Sequence, residues 1–99
     1  TTLFRSLGSF KKHVNLTQHS IDSGTEITDA TLQELSDLHP RVEGITAKNC
    51  DEITDVGLWA LARNCHLINE LDFSNCTKIT HVGLRSMSLR CDGLRKLSL

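Results

Sequence analysis

The sequence predicts an α/β fold: a curved solenoid of stacked repeats, each supplying one short strand and one helix. Three observations point there. Ile53-Thr54-Asp55 recurs 26 residues upstream as Ile27-Thr28-Asp29 and 26 downstream as Ile79-Thr80-His81. Each copy runs into an apolar pair at helical spacing, namely Leu32 and Leu35, Leu58 and Leu61, or Leu84 and Met87. Each helical run then gives way to a short alternating segment, with Val42, Ile45 and Ala47, then Ile68, Leu71 and Phe73, then Leu94, Leu97 and Leu99 on the same step. A unit of one strand and one helix cannot bury its apolar face alone, so neighbours must stack around a common core.

Composition sets the outer bounds. A chain of 99 residues with 38% hydrophobic and 23% charged residues suits one small globular domain, so residues 1–99 are read as a single segment of about three to four repeats of 26 residues. With 11 Lys+Arg against 12 Asp+Glu the net charge is -1, and no general basic field exists to draw in nucleic acid or an anionic membrane; neither is expected as a partner. No apolar run is long enough to span a bilayer, and the N-terminal stretch lacks the pattern of a secretory leader. Leu99 is the third apolar position of a strand, with no closing turn and no polar cap, so the chain is expected to be a segment of something longer.

Taken in order, residues Thr1 to Lys12 place Leu3, Phe4, Leu7 and Phe10 at helical spacing and are expected to form an amphipathic helix, in imperfect register with later copies. The segment Leu16 to Gly24 then fills the first strand slot, with Leu16 in step with Val42 and Ile21 with Ala47. In this degraded copy His19 stands where later copies have Ile45 and Leu71, and Gly24 where they have Cys50 and Cys76. Thr28, Thr54 and Thr80 precede the three clear helices and are read as N-caps. Asp29 and Asp55 follow, where negative charge suits a helix N-terminus; His81 breaks the pattern. Pro40 helps to stop the first of these helices.

The four cysteines are 15, 11 and 15 residues apart, with no Cys-x-x-Cys clamp. Cys50 and Cys76 share one repeat position, and Cys65 and Cys91 another, so they read as buried, reduced packing thiols rather than metal ligands or disulfides. That implies a reducing compartment, the cytoplasm or nucleus. The histidines are scattered; His13 and His39 occupy the Cys65 position of their own copies and read as structural. Cys65 and His66 are adjacent but do not make a catalytic pair, and no nucleophile, base and orienting group converge. No enzymatic activity, cofactor or metal site is expected.

Cys50-Asp51-Glu52-Ile53-Thr54-Asp55-Val56-Gly57-Leu58 closely resembles the Cys-x-x-Ile-Thr-Asp-x-Gly-Leu signature of the cysteine-containing leucine-rich repeats. Ile68-Asn69-Glu70-Leu71-Asp72-Phe73-Ser74-Asn75-Cys76 is similar to that family's Leu-x-x-Leu-x-Leu-x-x-Cys run, with Ile and Phe replacing two leucines. The departures are His19, Gly24, Thr31 in place of Gly57 and Gly83, and His81 in place of Asp. The resemblance implies a right-handed solenoid, with the parallel strands on its concave face and the helices on its convex face. It also implies a protein-binding role, because this subclass is best known as the substrate-receptor part of F-box ubiquitin ligase complexes. No complete F-box is present, so a cullin-type adaptor would be reached only through a segment outside this chain. The alternative is a structural or assembly subunit of a large complex.

The candidate partner-binding residues are those that alternation turns outward on the strands: Gln18 and Ser20, Thr46 and Lys48, Glu70, Asp72 and Ser74, and Lys96. Asp22, Gly44 and Ser98 share this surface, which serves either to register a partner by its charge pattern or simply as a solvated face. Trp59 is added because its repeat equivalents, Gln33 and Arg85, are polar; it is either a contact on the helix side or a side chain folded over a neighbouring helix.

Overall fold

The computed structural model describes residues 12–99. It is a mixed α/β structure with four helices and one four-stranded sheet, in the order β1 (His13–Asn15), α1 (Leu16–Ser23), α2 (Asp29–Leu38), β2 (Gly44–Thr46), α3 (Asp55–Asn64), β3 (Glu70–Asp72), α4 (His81–Arg90) and β4 (Lys96–Ser98). The strands are parallel and lie side by side in chain order. Gly44, Glu70 and Lys96 stand in one row across β2, β3 and β4, and Thr46, Asp72 and Ser98 in another. Both rows carry the 26-residue step of the sequence into the sheet.

The core lies between sheet and helices. Ile45 and Leu71 from the strands, Phe73 just beyond β3, and Leu32, Leu35, Leu58, Leu61 and Met87 from the helices are all buried. Burying each such side chain is worth roughly 1.5–3 kcal/mol, so three-residue strands hold because the repeats share one core rather than through their own few hydrogen bonds.

Thr28, Thr54 and Thr80 are the N-caps of α2, α3 and α4, as the sequence leads one to expect. The Thr54 and Thr80 hydroxyls accept from the amides of Val56 and Val82, each at 3.2 Å. The aspartates do more than suit a helix N-terminus. Asp29 Oδ1 accepts from the Thr54 amide at 2.7 Å and the Gly57 amide at 3.1 Å, and Asp29 Oδ2 from the Thr54 hydroxyl at 2.6 Å. Asp55 repeats the clasp on Thr80.

Gly57 and Gly83 leave the space for these clasps, since a Cβ on Gly57 would come within 2.6 Å of Asp29 Oδ1 and 2.7 Å of Leu32 Cδ1. Thr31 has a different solution. The Thr31 hydroxyl itself accepts from the Thr28 amide at 3.0 Å.

Two expectations fall differently, and a third concerns residues outside those described. The helix expected over Thr1–Lys12 lies, apart from Lys12, outside the described residues. The segment Leu16 to Gly24 is not the first strand. Leu16–Ser23 is α1, and the strand is His13–Asn15, joined to β2 by pairs 31 residues apart. The cause is local: the Asn15 side chain caps the helix by accepting from the Gln18 amide at 3.0 Å, and Gly24, at φ 72°, sends its amide back to the Ser20 carbonyl. Val14 therefore takes the buried slot opposite Ile45 that His19 was expected to hold. Finally, His13 is not a structural equivalent of Cys65; it faces Gly44 across the sheet. His39 does match its repeat position, closing α2 as Cys65 closes α3 and Cys91 closes α4.

Candidate functional site: the polar face of the parallel sheet

Alternation along three-residue strands sends Val14, Ile45 and Leu71 into the core and leaves their neighbours on the opposite face. That face has two rows. One runs His13, Gly44, Glu70, Lys96; the other runs Asn15, Thr46, Asp72, Ser98.

The first row is centred on Glu70. Its Oε2 is 3.2 Å from His13 Nε2, two strands away, and its Oε1 is 3.5 Å from Lys96 Nζ. His13 reaches so far because Gly44 lies between them and the imidazole occupies the space a side chain would need there. In the second row Asp72 is held by its own turn: Oδ1 accepts from the Ser74 hydroxyl at 2.6 Å and the Ser74 amide at 3.2 Å, while Lys48 Nζ lies 3.7 Å from Oδ2. The Ser74 hydroxyl, then the Ser74 amide and the nearby Lys48 ammonium, outweigh burial and hold the Asp72 carboxyl below its ordinary value of 3.8.

These pairs are weak. Glu70 is 33% exposed and Lys96 72%, and exposed ion pairs contribute roughly 0–1 kcal/mol. A partner's charges can replace them at little cost, while the backbone fixes where the charges stand.

The structure brings Thr46, Lys48, Glu70, Asp72, Ser74 and Lys96 together on or at the rim of this face. Gln18 and Ser20 are not on it. Both lie on α1, where Gln18 Nε2 donates to Asp22 at 2.9 Å and the Ser20 hydroxyl to the Thr25 carbonyl at 2.7 Å. Ser20 instead lines a cleft of about 360 Å³ beside Lys48, with Thr17, Ile21 and Glu52. The residues missed were His13 and Asn15. Asn15 directly before the eight residues Leu16–Ser23, with Gly24 directly after them, was the readable signal of a capped helix, and it would have moved the strand upstream.

Trp59 lies away from the sheet, half exposed on α3, in a cleft shared with Ser86, Leu89 and Arg90 of α4. All four cysteines are free thiols. Cys76 Sγ donates to the Ala47 carbonyl at 2.9 Å and Cys91 Sγ to the Cys65 carbonyl at 3.2 Å. Burial pushes the Cys65 thiol up to about 12 and the partly buried Cys50 to about 11, and it raises Cys76 and Cys91 too. Among the described residues no three His, Cys, Asp or Glu side chains cluster as metal ligands, and no helix is long and apolar enough to cross a membrane. The chain matches no protein-family model and no curated protein.

Proposed function

We propose that the chain is a protein-interaction module: part of a leucine-rich-repeat solenoid whose strands β1–β4 line a concave face that recognises a partner protein. One observation carries this reading. Four parallel strands hold two registered rows of polar side chains, with carboxylates and cations at fixed intervals and little energy invested in their mutual pairing. In the assembled protein the module is the substrate-recognition part of an F-box-type ubiquitin ligase receptor, with the adaptor-binding segment outside this chain. Its own role is binding rather than catalysis, without a cofactor. Buried, raised thiols favour a reducing compartment, the cytoplasm or nucleus.

The test is a pull-down from cell extract with the full-length protein, wild type against a triple change of Lys48, Glu70 and Asp72 to Ala. Loss of one bound protein while a cullin-type adaptor stays attached is the expected result. A second reading, a permanently assembled structural subunit, is favoured by the exposure of Trp59 and Leu89 on the helix side. Under it the triple variant keeps every partner, no adaptor is among them, and Trp59→Ala alone causes loss.

A further inference from the structure

The cleft between α3 and α4 has chemistry unlike that of the sheet face. It measures about 350 Å³ and is lined by Trp59, Ala62, Arg63, Ser86, Leu89 and Arg90. Trp59 is 50% exposed and Leu89 69%. Both stand where other copies are polar: Leu89 is in step with Asp37 and Arg63, and Trp59 with Gln33 and Arg85. Small Ala62 and Ser86 leave room between the two large side chains.

The two charged residues that line the cleft, Arg63 and Arg90, are both cations. α4 carries Arg85 and Arg90 and no carboxylate, and the one acidic residue of α3, Asp55, is spent on Thr80 at the far end of the helix. Among the described residues no carboxylate pairs with Arg63 or Arg90. On the sheet face, by contrast, each of Glu70, Asp72, Lys48 and Lys96 has a charged neighbour within 4 Å.

We propose that this cleft docks an acidic peptide segment of a partner protein: one large apolar side chain enters between Trp59 and Leu89, and flanking carboxylates meet Arg63 and Arg90. Trp and Arg together are the side chains that most often dominate protein interfaces, and a guanidinium matches a carboxylate in two parallel hydrogen bonds. A nucleic-acid backbone fits less well. It calls for a run of cations tracking successive phosphates, whereas here two arginines flank an apolar opening in a chain of net charge -1. This surface is separate from the sheet face, so it stands or falls independently of the function proposed there.

Trp59 is the sole tryptophan and the chain has no tyrosine, so red-edge-excited fluorescence reads this cleft alone. The probe is the blocked peptide DEEFEED, against DEEAEED, KKKFKKK and a thymidine oligonucleotide. The expected result is a saturable blue shift with DEEFEED that weakens with added salt, is about tenfold weaker with DEEAEED and is absent with KKKFKKK. Leu89→Ala and the double change Arg63→Glu with Arg90→Glu each weaken it by about tenfold or more, with circular dichroism and thermal midpoint unchanged. If the double change disturbs the fold, Arg63→Gln with Arg90→Gln gives the same reading. No saturable shift, equal response to DEEAEED or KKKFKKK, or tighter binding of the oligonucleotide that Leu89→Ala leaves intact overturns the proposal.

Discussion

The Asp29 carboxylate belongs to one repeat and caps the helix of the next: its two oxygens take the amide and the hydroxyl of Thr54, at 2.7 and 2.6 Å. Asp55 does the same for Thr80, so the helix starts of α2, α3 and α4 are tied in sequence by side chains rather than by apolar contact alone. Hydrogen bonds to an ionised group contribute about 1.5–3 kcal/mol each and do not add fully, so Asp29→Ala should cost roughly 2–3 kcal/mol in urea unfolding. A loss below about 0.5 kcal/mol, the scatter of ordinary surface changes, contradicts this role.

Gly57→Ala tests the same junction with an opposite prior. In an ordinary exposed helix interior this change stabilises by about 0.8–1 kcal/mol. Here the new methyl meets Asp29 Oδ1 and Leu32 Cδ1, both closer than real Cβ contacts come, so the change should destabilise by roughly 1–3 kcal/mol. A rise in the thermal midpoint would show that the clasp can shift aside.

Acid should loosen the structure through named groups. Burial pushes the Asp55 carboxyl up, but the Thr80 hydroxyl and amide and the Gly83 amide outweigh it and hold it below 3.8; Asp72 is depressed by Ser74 and Lys48. A carboxyl whose folded value lies below its unfolded value stabilises fully above the unfolded value, and that contribution disappears as pH falls through the folded one. The thermal midpoint should therefore be level from about pH 7 to about 5 and fall steadily below that. Asp55→Asn should flatten the fall, and a variant as acid-sensitive as wild type contradicts the assignment.

The thiols should be silent in the native chain. Cys65 and Cys91 are buried at the helix ends and Cys76 beside Ala47, and the raised values of all four leave little thiolate at neutral pH. Ellman's reagent should modify Cys65, Cys76 and Cys91 no faster than the chain unfolds, with all four cysteines reacting in denaturant. Immediate reaction of Cys65 or Cys91 in the folded chain contradicts their packing role.

From Thr25 onward the structure was legible in the sequence, because the features that build it repeat. Caps at Thr28, Thr54 and Thr80, buried leucines and the strand register of Gly44, Glu70 and Lys96 all keep one step. The first copy was misread for the same reason. Extending that step upstream assigned Leu16–Gly24 to a strand, whereas two local signals, Asn15 and Gly24, close an extra helix and lengthen the unit. The site shares this division. Lys48, Glu70, Asp72 and Lys96 were found by alternation, but His13 was hidden, since its reach to Glu70 depends on the absence of a side chain at Gly44, which no periodicity reveals. The inter-repeat use of Asp29 was equally unreadable, because a helix-start aspartate looks the same whether it serves its own helix or the next.

Recognition of a partner by the strand face is open to site-specific photocrosslinking. A benzophenone amino acid at Thr46, in the middle of the sheet face, is compared with one at Gln33, exposed on α2 on the helix side. In cell extract Thr46 should crosslink to a discrete partner protein, the Lys48, Glu70 and Asp72 triple change should abolish the adduct, and Gln33 should give none of it. A partner captured from Gln33 and never from Thr46, or an adduct at Thr46 indifferent to the triple change, contradicts recognition by the strand face.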